Sequence, residues 1–293
     1  MKQIRLLLLL LLGGFSARAA DWQQVEWNGE AAYASSASGW RAVVSVTRGR
    51  LMHFGPADRD YNLLLAPVSR ADRNLLGGHR LWLGPQLTWA SIWPPPVAWE
   101  YSEPESVELA GGVLRLTMPA THDGWPRLTR TYHWAGASLV CGAEFTGGTR
   151  PAQFVQILQV RPATTVAVDA RPEKNFPAGY VRLPSGAGPF AARFDQPPHV
   201  TRSGDALVLK HTGKVEKLGF RPQTLTGRID GYRLQVGRGP QTGATVGEPD
   251  EGFHTQVYLS NAGESFVELE QLSPLFAPGQ NARFEIVLTG TAP

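Results

Sequence analysis

Two carboxylates stand at a spacing that invites chemistry. In Ser265-Phe266-Val267-Glu268-Leu269-Glu270-Gln271 the acids alternate with apolar residues. In a strand, a period of two puts Phe266, Glu268 and Glu270 on one face and Val267 and Leu269 on the other. The acids then lie about 7 Å apart. Two such groups repel unless solvated or paired, which raises the pKa of one of them. A solvated outer face is the plain alternative. The preceding run Phe253–Leu259, joined through Asn261-Ala262-Gly263, reads as the other arm of a hairpin and would set Gln256 and Tyr258 opposite the acids. That mixture of amide, phenol and carboxylate suits a sugar.

A second group lies in LLGGHRLWLGPQ, residues 75–86. The glycines allow a close backbone approach. In the strand that follows, His79, Leu81 and Leu83 share one face, and Arg80 and Trp82 the other. An aromatic ring stacks on the C–H face of a sugar while a guanidinium donates to its hydroxyls. The alternative is a core Trp82 beside a structurally paired Arg80. Trp89, Trp93 and Trp99 follow around the stiff run Pro94-Pro95-Pro96, an arrangement expected of an aromatic rim.

Two further strands carry polar residues among apolar ones. Arg127–Trp134 sets Arg130 on the face of Leu128, Tyr132 and Trp134, where a guanidinium needs either a structural partner or a ligand. Phe154–Val160 carries Gln156 on one face and Gln159 on the other, each requiring hydrogen bonds from the backbone or from a polyol.

The elements that would position these groups are strands. Gly and Pro, 32 and 23 residues, interrupt the chain too often for amphipathic helices. Short β-branched and aromatic runs separated by turn residues are expected at 41–47, 61–66, 113–118, 127–134, 139–145, 154–160, 231–236, 253–259, 265–271 and 282–288. The fold class expected is all-β, a large sandwich or barrel of antiparallel strands. Residues 238–252 read as a long surface loop. With no shift in composition along the chain, residues 21–293 are expected to form a single domain.

Residues 1–20 read as a signal peptide. Lys2 and Arg5 precede seven leucines, and small residues end in Ala17-Arg18-Ala19-Ala20. The apolar run is far shorter than the ~20 residues of a membrane span. Export to the periplasm or beyond the cell is therefore expected, with no membrane span after cleavage. The three basic residues of this leader reduce the 28 of the whole chain to 25, which equals the number of acids. Neither nucleic acid nor an anionic surface is suggested by that balance. The lone Cys141 sits in an alternating apolar run and is expected to be a buried hydrophobe. The seven histidines show no metal-ligand spacing, and no phosphate loop, dinucleotide fingerprint or serine-nucleophile elbow is present in the mature chain, so no metal or cofactor is expected. A glycosidase needs two carboxylates flanking a bond, which neighbours on one strand face rarely do.

Taken together, three segments resemble the galactose-mutarotase-like group of sugar epimerases, in an uncharacterised bacterial branch. Gly77–Gln86 is similar to that group's double-glycine segment feeding a sugar-facing strand. Leu128-Thr129-Arg130 resembles the strand after the sugar-site loops. Leu269-Glu270-Gln271, with Pro274 and then Ala277-Pro278-Gly279-Gln280, is similar to its late glutamate strand. The resemblance implies a two-sheet supersandwich, a sugar or glycan ligand, Glu270 as the base that takes the anomeric hydroxyl proton, and Arg80 near the sugar. Arg80, Trp82, Arg130, Gln156, Gln159 and Glu268 are the expected binding residues. The group's mid-chain acidic histidine has no counterpart in Phe154–Val160. His79 is the expected substitute by its motif. A glycan-binding module without catalysis and an envelope protein using the sandwich as structure only are the alternatives.

Overall fold

The structure, a computed structural model, describes residues 21–67, 76–85, 97–121, 124–174, 176–183, 199–248, 252–260 and 265–293. The expected leader, Trp89, Trp93, the proline run and the tip 261–263 lie outside these. In chain order the strands are β1 (Gln23–Trp27), β2 (Glu30–Ala37), β3 (Trp40–Ser45), β4 (Arg50–Pro56), β5 (His79–Gly84), β6 (Ser106–Ala110), β7 (Val113–Thr117), β8 (Arg127–Ala135), β9 (Ser138–Thr146), β10 (Gln153–Val160), β11 (Thr165–Asp169), β12 (Val181–Arg182), β13 (Val200–Ser203), β14 (Ala206–Lys210), β15 (Glu216–Phe220), β16 (Thr224–Ile229), β17 (Tyr232–Thr242), β18 (Thr245–Gly247), β19 (Thr255–Ser260), β20 (Phe266–Leu272), β21 (Leu275–Phe276) and β22 (Ala282–Thr291). One helical turn, α1 (Val97–Glu100), precedes β6.

Two antiparallel sheets dominate. One has six strands in the order β12-β15-β19-β20-β10-β5, and the other ten in the order β13-β14-β11-β16-β17-β22-β9-β8-β7-β6. A four-stranded sheet, β1 to β4, and the small pair β18-β21 complete the fold. The main core is built from all three larger sheets, among them Leu81, Phe154, Leu158 and Leu269 from the six-stranded sheet. Tyr132, Ile286 and Phe284 come from the ten-stranded sheet, and Val44, Leu51 and Phe54 from the four-stranded one. Cys141 is fully buried there, as expected, and burial pushes its thiol well above the ordinary value. No helix among the described residues is long and apolar enough to cross a membrane.

Two expectations are corrected. Residues 61–66 form no strand beyond a single bridge, Leu64 to Val160. The Asn62 amide takes the place of ladder partners: its Oδ1 accepts from the backbone N–H of Phe54 and Leu64, and its Nδ2 donates to Met52 O. Conversely, much of 238–252 is strand. The ten-residue β22 offers pairing far along its length, so β17 continues through Gly239-Pro240 by shifting register between Arg238 and Gln241, and β18 follows.

Candidate functional site

Strand alternation gives the six-stranded sheet two different faces. One packs on the main core. The other, turned away from that core, carries Arg80 and Trp82 from β5, Gln159 from β10, Glu268 and Glu270 from β20, Gln256 and Tyr258 from β19, and Lys217 from β15. The register fixes their neighbours. Ile157 lies opposite both Arg80 and Glu270, and Glu270 lies opposite Gln256. In the adjacent row Gln159 faces Glu268, Glu268 faces Tyr258, and Tyr258 faces Lys217. Trp82, Val155, Ile157 and Leu272 form a separate apolar cluster on this face. An apolar floor beside converging polar groups is the usual make-up of a small-molecule site. The hairpin read from sequence is present, pairing Ser260 with Phe266 through Thr255 with Gln271.

The acids are not solvated. Glu268 and Glu270 are 3% and 1% exposed. Lys217 Nζ donates to Glu270 Oε2 at 2.9 Å, a buried ion pair. Gln159 Nε2 donates to Glu268 Oε1 at 2.8 Å. Burial first, and then the charge of Glu270, raise the pKa of Glu268 to about 7, against the opposing pull of Arg80, Gln159 and Lys217. The Arg80 guanidinium sits 4.7 Å from the Trp82 ring centre, a cation–π contact on the site's apolar side.

The double glycine supports this arrangement from behind. Gly77 N–H donates to Gln159 Oε1 at 2.6 Å, and Gly78 O accepts from Gln159 N–H at 3.0 Å. Gly77 has φ of 69°, and a Cβ there would fall 2.3 Å from Leu65 O. Gly77→Ala is therefore expected to lower stability by about 1–3 kcal/mol, the range for a strained left-handed residue. Urea denaturation measures it, and an unchanged midpoint would contradict the close approach.

Four of the residues read from sequence lie elsewhere. His79 and Gln156 face the core, where His79 Nε2 and Gln156 Oε1 are 2.9 Å apart and Gln156 Nε2 donates to Phe284 O at 3.0 Å, tying the two large sheets together. His79 is fully buried. Burial and the charge of Arg130 lower its pKa to about 3, so the ring is neutral. Adjacent strand residues point to opposite faces, so His79 and Glu270 are not brought together as acid and base. Arg130 donates to His79 O and Trp99 O at 3.0 Å and to Glu100 Oε1 at 2.9 Å, a structural role. Trp99 is core, 5.3 Å from Phe145 between ring centres, not rim.

Glu100 was not singled out by any sequence pattern, yet it gathers three arginines. Its Oε2 lies 3.2 Å from Arg50 Nη1 and 2.9 Å from Arg80 Nε, and its Oε1 accepts from Arg130 and, at 3.0 Å, from Leu81 N–H at the edge of β5. Arg50 also donates to Glu100 O. One guanidinium comes from each of the four-, six- and ten-stranded sheets. Burial alone would raise the pKa of Glu100, but the charges of Arg50, Arg80 and Arg130 hold it well below the usual carboxylate range. Arg50, desolvated and sharing its anion with two like charges, is lowered to about 10. Arg80 thus has two roles, its Nε on the keystone carboxylate and its face toward Trp82. Lys217 was also missed. Its only signal was the alternation in Glu216-Lys217-Leu218-Gly219-Phe220. No group of metal-binding residues occurs among the described residues.

No family model matches the chain, and no curated protein matches it. Solved structures do. A candidate aldose 1-epimerase from Escherichia coli K12 is similar over 89% of this chain and 99% of its own, with 14% identity and a TM-score of 0.59. A galactose mutarotase-like protein from Lactobacillus casei covers 92% of this chain and 100% of its own, at 10% identity and a TM-score of 0.58. A galactose mutarotase related enzyme from Lactobacillus acidophilus covers 92% and 97%, at 8% identity and 0.56. The fold is therefore the all-β, galactose mutarotase-like sandwich.

Proposed function

We propose that this chain is an exported sugar-binding protein that catalyses aldose epimerase-type proton transfer, with Glu270 as the base at the anomeric hydroxyl. The observation that carries the reading is the cross-strand row in which Arg80 and Glu270 flank Ile157 on one sheet face, beside Trp82. The apolar cluster offers a surface for sugar C–H groups, and Glu270 offers the acceptor for the anomeric hydroxyl beside polar side chains that the protein itself holds in place. The names of the similar structures support the same substrate class.

The test is anomer interconversion followed by NMR, with a panel of aldoses and oligosaccharides on purified residues 21–293. Exchange is expected to exceed the buffer rate for at least one aldose. Glu270→Gln is expected to lower it by about 10²–10⁴-fold, the range for losing a positioned general base. Exchange at the buffer rate for every aldose would overturn the catalytic reading. A second reading, sugar binding without turnover, is favoured by one observation: Lys217 already occupies Glu270 Oε2. Binding without accelerated exchange would establish it. Absence of both would leave an envelope structural protein. Export is tested by N-terminal sequencing of the protein from whole cells, with a mature terminus near Asp21 expected.

A further inference from the structure

Among the described residues this sheet face carries no histidine to protonate the ring oxygen, since His79 faces the core. The same face supplies a carboxyl group instead. We propose that Glu268 is the general acid of this site, delivering its proton to the sugar ring oxygen while Glu270 accepts the proton of the anomeric hydroxyl. The inference rests on the epimerase reading above.

Two hydrogen bonds assign the roles. Lys217 Nζ contacts Glu270, so the ammonium fixes the negative charge on that carboxylate. Glu268 meets a neutral amide instead. A backbone N–H is only a donor, so the bond from Gly77 N–H identifies the Gln159 oxygen, and its NH₂ must point to Glu268 Oε1. A neutral amide favours the ionised form less than an ammonium does, so of the two acids Glu268 is the one that holds a proton. With Oε1 accepting from the amide, a proton on Oε2 leaves that bond in place. Neither Glu268 Oε2 nor Glu270 Oε1 accepts a hydrogen bond from the described residues. The two acids share one strand face about 7 Å apart. Two acids side by side on one strand face do not flank a glycosidic bond, and that placement argues against a glycosidase. It suits mutarotation, because the hydroxyl oxygen and the ring oxygen are bonded to the same carbon.

The step balances without another reactant. Glu270 takes the hydroxyl proton, the hydroxyl oxygen forms a double bond to C1, and the bond from C1 to the ring oxygen breaks. The ring oxygen keeps that electron pair and takes the proton of Glu268. Rotation about C1–C2 presents the other face of the aldehyde, and the same transfers in reverse close the ring and restore both carboxyls. The burial and acid neighbour that raise Glu268 keep it protonated up to about neutral pH. Exchange should thus fall about tenfold per pH unit on the alkaline side, because the donor is then ionised.

The experiment compares Glu268→Gln with wild type by anomer-exchange NMR between pH 5 and 9, using the aldose exchanged fastest. Sugar affinity is followed in parallel. The expected result is a 10²–10⁴-fold loss of exchange in Glu268→Gln, affinity held within several-fold, and an alkaline limb near pH 7 in wild type that the variant lacks. Wild-type exchange in Glu268→Gln overturns the assignment of the acid alone, whereas wild-type exchange in Glu270→Gln overturns the base. A wild type that exchanges no aldose overturns both. If Glu268→Gln does not fold, the wild-type profile decides: a rate flat from pH 5 to 9 removes Glu268 as the donor.

Discussion

Glu100→Ala is expected to leave the chain unable to fold at 37 °C, or to fold with a midpoint lowered by 10 °C or more. The substitution strands three buried guanidiniums, since Arg50, Arg80 and Arg130 all take Glu100 as their anion and are each 1–2% exposed. Breaking one buried pair from one side costs about 3–5 kcal/mol, and a domain's whole stability is about 5–15 kcal/mol. At about 2–4 °C per kcal/mol a single pair already gives about 6–20 °C, and three stranded guanidiniums put the shift at the upper part of that range or beyond it. Leu81 N–H, at the open edge of β5, loses its acceptor as well. Glu100→Gln keeps the volume and one acceptor but not the charge, and should fall close to alanine. Arg130→Met should be milder, because two arginines still hold the carboxylate. The pH dependence follows from the sign of the shift. Glu100 is depressed in the folded state, so its contribution is complete above the ordinary carboxylate pKa and is lost as pH falls through the lower folded value. The difference between wild type and Glu100→Ala should therefore hold from pH 8 to 5 and narrow only in stronger acid. Urea midpoints across that range measure it, and a variant within 1 kcal/mol of wild type would show that the three sheets do not depend on this carboxylate.

The same cluster shows where the sequence could and could not be read. Period-two alternation placed Arg80 with Trp82 and Glu268 with Glu270, because a strand with one face in the core cannot slip by one residue without exposing that core. The hairpin through 261–263 was legible from its turn residues, and it set Gln256 and Tyr258 against the acids. Alternation could not say which face of β5 or β10 was the core side. For that reason His79 and Gln156 were grouped with a site that lies on the other side of the sheet. Nor could it find partners far apart in the chain. Glu100 lies 50 residues from Arg50 and 30 from Arg130, and nothing local marks a carboxylate as the meeting point of three sheets. Arg130 announced its need for a partner but not the partner's identity. Lys217 was hidden differently. Its strand is short, and a lysine beside a glutamate in such a run reads as surface until β19 and β20 bring Glu270 next to it. The misread segments have the same cause: an Asn62 amide ended one expected strand, and the length of β22 created another, neither visible in the local pattern.

Lys217→Met is the second substitution expected to act strongly, and its value lies in the double variant. Methionine keeps most of the stem's volume and removes the ammonium, leaving Glu270 buried beside Glu268 with no cation on its Oε2. The side chains of the pair are 4% and 1% exposed, so water cannot take the cation's place cheaply. A cost of about 3–5 kcal/mol at pH 8 is expected. Urea midpoints at pH 8 measure it, and an unchanged midpoint would contradict the buried pair. Glu270→Gln alone should also destabilise, by stranding Lys217. In Lys217→Met/Glu270→Gln neither charge remains, and the pair should be more stable than the sum of the single changes by roughly 1–3 kcal/mol, within the coupling seen for residues in contact. Additive losses would mean that the two side chains are held apart in solution. Sugar exchange supplies the other half of the argument. If Lys217 decides which carboxylate carries the charge, the methionine variant loses that preference, and its exchange rate should fall at temperatures where it is still fully folded.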